Sequence, residues 1–138
     1  MAVRPMRAGD RAQIIYMMRA LWDDFDDDDS ELQRGNVFVW ERDNGALGGF
    51  ASYSLRPFAD GCDGRPVPYL EGWWVAPDLR RSGVGRQLVE AVEAWARAGG
   101  HRELASDAHA DNTGSVSAHA ALGFEETERL VLFRKRLA

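Results

Sequence analysis

A chain of 138 residues and 15.4 kDa has room for one hydrophobic core, and its 45% hydrophobic content, with five Trp, six Phe and three Tyr, supplies apolar surface to fill it. No run of 18 apolar residues occurs, Arg4, Pro5 and Arg7 stand where a leader would need apolar residues, and the single Cys62 excludes an intrachain disulfide and a CxxC metal knuckle. The expectation is one soluble, cytoplasmic domain over residues 1–138 whose net charge of -5 is local: seven acids from Asp23 to Glu31 carry it, and the rest of the chain stands at +2. Such a patch repels nucleic acid and attracts a cationic partner, unless it is only a solvated loop.

In chain order, Ala2 to Met6 reads as a short extended segment, and Gly9-Asp10 opens a helix with Ile14, Ile15, Met18, Leu21 and Trp22 on one face. The acidic run follows, with a short second helix. Val37 to Trp40 and Leu47 to Leu55 are strands joined through Asp43-Asn44-Gly45, a hairpin signal. Arg56 to Pro66 is a loop, and Val67 to Val75 a third apolar strand ended by Ala76-Pro77. From Gly83 to Arg97 the residues Val84, Leu88, Ala91, Val92 and Trp95 mark a helix face, stopped by Gly99-Gly100. Glu103 to Ala108 reads as a strand, Asn112 or Thr113 caps a helix to Leu122, and Glu125 to Leu137 reads as a closing strand. Antiparallel strands first and βαβ units later predict an α/β domain with a mixed, mostly antiparallel sheet flanked by helices.

The junction that carries chemistry runs from Val75 to Arg86, where a strand turns into a helix through Arg80-Arg81-Ser82-Gly83-Val84-Gly85. Glycines admit an anion close to the backbone, and the first amides of a helix lack internal acceptors, so such a turn holds a pyrophosphate. Simple close packing of the glycines is the competing reading. The spacing is neither a dinucleotide fingerprint nor a P-loop.

The same segment resembles the acyl-CoA pyrophosphate loop of the GCN5-related N-acetyltransferase (GNAT) superfamily, and Asn112 to Phe124, ending Leu-Gly-Phe, is similar to that family's second signature. Asp60-Gly61-Cys62-Asp63, Tyr69-Leu70-Glu71-Gly72, Ala105-Ser106-Asp107 and Leu122 to Arg129 resemble the aminoglycoside 6'-N-acetyltransferases within it. The region before Val37 is several residues shorter than that subgroup's usual pattern, which bears on the second helix and the acceptor pocket. The resemblance implies a GNAT fold, acetyl-CoA as cosubstrate, no metal, direct transfer to a 6'-amine in a ternary complex, a resistance role, and a homodimer. Rival readings are a GNAT acting on another small amine or polyamine, and a non-catalytic acyl-CoA-binding module.

Acetyl transfer needs a neutral amine, a place for the oxyanion and a proton for the leaving thiolate. Glu71, an acid within an apolar strand, is the candidate base and acceptor ligand, and Asp107 the second acceptor carboxylate. Each has a plain alternative: a solvent-facing charge for Glu71, a turn residue for Asp107. The resemblance puts His119 where relatives carry a Tyr that protonates the thiolate; a helix-capping cation is the alternative. Val75, Arg80, Arg81, Ser82, Gly83, Val84, Gly85, Arg86 and Asn112 are assigned to the cosubstrate, and Trp22, Asp23 and Asp26, with Glu71 and Asp107, to a polycationic acceptor. Trp22 has a core-anchor alternative. Cys62 has no base nearby and reads as a bystander, and His101 and His109 lack a metal spacing.

Overall fold

The computed structural model describes residues 2–26 and 28–138; Met1 and Asp27, the latter a member of the acidic run, lie outside the described residues. The chain divides into two compact units, residues 1–107 and 108–138. In the first, the described strands form one sheet in sequential order: β1 (Val3–Pro5), β2 (Val37–Glu41), β3 (Leu47–Arg56), β4 (Val67–Val75) and β5 (Ala105–Ser106). The first three pairings are antiparallel and β4 to β5 is parallel, the mixed sheet expected. In β2, Val37 and Val39 are fully buried while Phe38 and Trp40 are half-buried, a period of two that fixes which face meets the core. The turn to β3 uses Gly45 at φ +88°, with Asn44 Oδ1 accepting from the Ala46 amide at 2.9 Å.

Helix α1 (Arg11–Leu21) packs on β3 and β4, and α3 (Val84–Ala98) packs on β2, β3 and β4. Neighbouring side chains of β4 show that the two helices take opposite faces. Trp74 joins the α1 cluster around Ile14, Met18 and Phe50, whereas Trp73 lies under Gly85 of α3. The α1 face differs in detail from the sequence pattern: Met17 is buried, while Ile15 and Leu21 are only partly so. Arg4 ties the edge together, donating to Asp10 Oδ2 at 2.7 Å and to Glu41 Oε1 at 2.8 Å. The second helix, α2, is present but has only five residues, Ser30–Arg34, with the Asp29 carboxylate capping it through the Leu32 amide at 2.9 Å.

Two departures shape the site. The expected strand Glu103 to Ala108 pairs only at Ala105 and Ser106, opposite Tyr69 and Leu70 of β4. Among the described residues, β4 from Glu71 onward has a strand on its β3 side only, so the sheet opens there. The second departure is a bulge. Ser52 pairs with Gly72 but Tyr53 with Leu70, so Glu71 is an extra residue without a register partner.

The second unit consists of α4 (Thr113–Ala121) and the chain that follows it. Asn112 caps α4, its Oδ1 accepting from the Ser115 amide at 3.1 Å, and Gly123 at φ +91° ends the turn after it. The closing strand expected over Glu125 to Leu137 is not formed: these residues are in neither helix nor strand. Their β-branched and aromatic composition suits a strand, but propensity supplies no hydrogen-bond partner, and Leu130, Val131, Leu132 and Phe133 are 65 to 91% exposed.

Candidate active site

The bulge decides where Glu71 points. Without it Glu71 and Gly72 would face opposite sides of the sheet. With it Glu71 stands beside Ser54, Arg56 and Tyr69 rather than under α3, and a Cβ on Gly72 would lie 2.5 Å from the Trp22 ring. Glycine at 72 therefore lets Trp22 approach the sheet, where its ring stacks with Phe25 at 6.2 Å and meets Phe50 edge-on at 6.3 Å. Trp22 is thus a core anchor that also lines a pocket of about 300 Å³ together with Asp24, Phe25, Asp26, Asp28 and Asp29. Asp23 is not among the residues lining it.

Glu71 is 17% exposed at its side chain and accepts three hydrogen bonds. Ser54 Oγ donates to Oε2 at 2.5 Å, and Arg56 donates through Nε to Oε2 at 2.8 Å and through Nη2 to Oε1 at 2.6 Å. The solvent-facing alternative for Glu71 is therefore set aside. The Arg56 guanidinium also sits 3.5 Å from the centre of the Tyr69 ring, and the Glu71 carboxylate raises its pKa above the ordinary arginine value. Tyr69 donates to Asp107 Oδ2 at 2.5 Å. Burial first, then that bond, raises the Tyr69 hydroxyl well above the usual tyrosine range, so it stays a donor. Asp107, just past β5, is thereby held by β4 rather than left as a turn residue. Glu31 on α2 lies near enough for the Glu71 charge to add to the burial that raises its own pKa. Arg56 is therefore flanked by the carboxylates of Glu71 and Asp107, with Glu31 close to Glu71, an arrangement whose chemistry suits an ammonium group.

Past Val75 the chain makes a 3-10 turn over Pro77–Leu79, and Arg80 Nε donates back to the Val75 carbonyl at 2.9 Å. Ser82 Oγ donates to the Leu79 carbonyl, Arg81 adopts φ +63°, and Gly83, at φ +89°, is the N-cap of α3. The internal ladder of α3 begins with the Gln87 amide on the Gly83 carbonyl at 3.1 Å, so the Val84 and Gly85 amides precede it. The two glycines have separate reasons. A Cβ at Gly83 would meet nothing within 4 Å, and its requirement is the left-handed backbone; a Cβ at Gly85 would lie 3.1 Å from the Trp73 ring, and its requirement is packing. The left-handed backbone thus adds a second reason for glycine at 83 to the expected one, that a side chain there would stand in the way of an anion. The loop still joins helix-start amides to Arg80, Arg81 and Arg86, a donor set that fits a pyrophosphate.

In the second unit, His119 Nδ1 lies 2.7 Å from the Ser115 carbonyl, and its ring meets Phe124 edge-on at 5.1 Å. A carbonyl only accepts, so Nδ1 carries a proton. Cys62 packs against Val67, Tyr69 and Ala105, and burial followed by the Glu103 charge raises its thiol pKa, which disfavours a nucleophilic thiolate. No group of His, Cys, Asp and Glu among the described residues is arranged to hold a metal, and no helix there is long and apolar enough to cross a membrane.

A strand that opens beyond its first residues, a bulged acid at the opening and a glycine-started helix after it occur here together with a match to the Acetyltransferase (GNAT) family over residues 8–124. The chain belongs to that family. This GNAT chain is 42% identical, over 98% of its length and 93% of the relative's, to an aminoglycoside N(6')-acetyltransferase type 1 of Stenotrophomonas maltophilia. It is 40% identical to the enzyme of that name from Klebsiella aerogenes, covering 98% of this chain and 96% of that one. Among solved structures, AAC(6')-Iy in complex with the bisubstrate analogue CoA-S-monomethyl-acetylneamine superposes with a TM-score of 0.86 at 39% identity, covering 98% and 97% of the two chains. AAC(6')-Ih from Acinetobacter baumannii gives 0.87 at 33% identity, covering 99% and 98%.

Sequence reasoning did not single out Ser54, Arg56 or Tyr69. Each lies on a strand at an unremarkable position, and only the Ser54 to Tyr69 register, combined with the bulge, brings them to Glu71. The signal that was available is the short apolar run around an acid, which demands a partner.

Proposed function

We propose that this GNAT chain transfers the acetyl group of acetyl-CoA to the 6'-amine of an aminoglycoside, giving resistance to such antibiotics. The observation that carries the reading is the bulged Glu71, linked to Asp107 through Arg56 and Tyr69 and followed by the glycine on which Trp22 of the acidic pocket packs. It is supported by relatives of near-equal length that bear that name.

The cosubstrate, when bound, supplies an activated thioester carbonyl. The chain's residues do the rest. Arg80, Arg81, Ser82, Gly83, Val84, Gly85 and Arg86 hold the pyrophosphate at the start of α3; Val75 and the unpaired edge of β4 offer backbone groups to the amide-rich arm. Asn112, whose Oδ1 caps α4, keeps an amide nitrogen to offer that arm as well. Glu71 and Asp107 bind the acceptor ammonium, Glu71 takes its proton directly or through water, and His119, in its imidazolium form, gives a proton to the thiolate and is left neutral. Asp23 and Asp26 extend the negative field that draws a polycation in, with Trp22 as the wall behind it.

The reading takes residues 1–138 as one functional GNAT domain, since the family match spans both compact units. A homodimer accompanies it, supported by the exposed apolar run Leu130 to Phe133, which has no strand partner among the described residues. A cytoplasmic location follows from the lone cysteine and from where acetyl-CoA is made available. Thiol release from acetyl-CoA in the presence of kanamycin, a polyamine or a peptide amine tests the reading. Release with kanamycin above the others is expected; release only with polyamine or peptide, or with none, removes it.

A further inference from the structure

Glu71 already holds a cation. Its Oε2 receives both Ser54 Oγ and Arg56 Nε, and its Oε1 receives Arg56 Nη2. A carboxylate oxygen has two acceptor directions, so a further donor finds Oε2 filled and one direction remaining on Oε1, beside a positive guanidinium. That guanidinium is gripped from two sides, by the Glu71 fork and by the Tyr69 ring at 3.5 Å. Yet Arg56 is the last residue of β3 and its side chain is 43% exposed, so it has solvent to move into.

We propose that the Arg56 guanidinium occupies the place on Glu71 that an acceptor ammonium must take and is displaced when the acceptor binds, so that Arg56 sets the absolute affinity for every acceptor. This rests on the acceptor-site reading above. The argument is one of exchange. A lone ammonium replaces a bidentate, charge-assisted pair with at best a similar set of bonds, and gains nothing net. An acceptor with several ammonium groups also engages Asp107, Glu31 and the pocket carboxylates of Asp24, Asp26 and Asp28, contacts that a monoamine cannot reach at the same time. Arg56 thereby subtracts the same amount from every acceptor: the other contacts set the ratio between acceptors, and Arg56 sets the level of the whole series.

The experiment compares kanamycin with 6-amino-6-deoxyglucose, a single sugar ring with one ammonium, in the wild-type chain, Arg56→Gln and Arg56→Lys. In Arg56→Gln the KM values for both acceptors fall by a similar factor, about tenfold or more, the size expected for one charge-assisted pair, and the KM for acetyl-CoA is unmoved. Arg56→Lys keeps the charge without the fork and falls between the two; it also carries the test if Arg56→Gln fails to fold. Acceptor KM values that stay unchanged or rise, or that fall for one acceptor only, overturn the proposal and leave Arg56 as a brace for Glu71. A wild-type chain that releases no thiol with kanamycin overturns the acceptor-site reading itself, a result distinct from an active chain whose acceptor KM values do not move.

Discussion

Glu71 carries two tasks that kinetics separate. As an anionic ligand it contributes to acceptor KM; as the proton acceptor it contributes to kcat. Glu71→Gln keeps the shape and can still accept one bond from Ser54 or Arg56, but it cannot take a proton from an ammonium group. It is expected to lower kcat/KM for kanamycin by about 10²-fold, with acetyl-CoA affinity little changed; activity within a few-fold of wild type would assign the deprotonation to Asp107 or solvent. The glycines of the loop make a second test, because the two are needed for different reasons. Asn tolerates the left-handed region and Val does not. Gly83→Asn should therefore hold acetyl-CoA affinity close to wild type while Gly83→Val loses it, as read by titration calorimetry. Equal losses in both would mean that side-chain volume facing the cosubstrate, rather than backbone conformation, matters. The sequence exposed Glu71 and Gly83 because each residue type is conspicuous in its place. Arg56 was not legible, since an arginine at a strand end reads as an ordinary surface charge until the register is known.

At the level of elements, stability of the sheet edge rests on the cluster of Arg4, Asp10 and Glu41. Asp10 is nearly buried, accepts two bonds from Arg4 and one from the Arg7 amide, and so joins β1, β2 and the entry to α1. The Arg4 bonds outweigh the opposing effect of burial and hold its carboxyl below the usual aspartate value of 3.8. A lowered folded-state value contributes stability that is full above 3.8 and is lost as pH falls through the lowered value. Asp10→Asn is accordingly expected to cost about 1–3 kcal/mol at neutral pH, and the gap in denaturant midpoint should close as the buffer is taken below pH 3.8. A gap of constant size down to that range would mean the loss is one of packing. The hairpin, α1 and α3 were readable because local chemistry decides them: Asn44-Gly45 for the turn, apolar spacing for the helices. The closing strand over Glu125 to Leu137 and the length of β5 were not, because a strand exists only through its neighbour. Five-residue α2 was anticipated from the short spacing before Val37, and Asp29 is the residue that makes so short a helix possible.

Over the whole molecule the charges are sorted. Asp24, Asp26, Asp28 and Asp29 line the pocket beside Trp22, while Arg80, Arg81 and Arg86 gather at the start of α3. A cationic acceptor and an anionic cosubstrate thus meet fields of opposite sign, which steers each to its own entrance and away from the other's. Neutralising part of the acidic side tests this, and the choice of residues matters. Asp29 must be spared, because its carboxylate caps α2 and its loss would confuse folding with electrostatics. The combined Asp24→Asn, Asp26→Asn and Asp28→Asn variant keeps each side chain's size and leaves an acceptor oxygen at Asp26 for the Asp28 amide. Kanamycin KM is expected to rise several-fold at low ionic strength. The difference from wild type should shrink as salt approaches 1 M, where screening confines charge interactions to about 3 Å. Acetyl-CoA supplies the internal control: being an anion, it is not bound more weakly when negative charge is removed from the chain. A parallel rise in both KM values would report a damaged fold, and an unchanged kanamycin KM across the salt series would reduce the acidic run to a solvated loop.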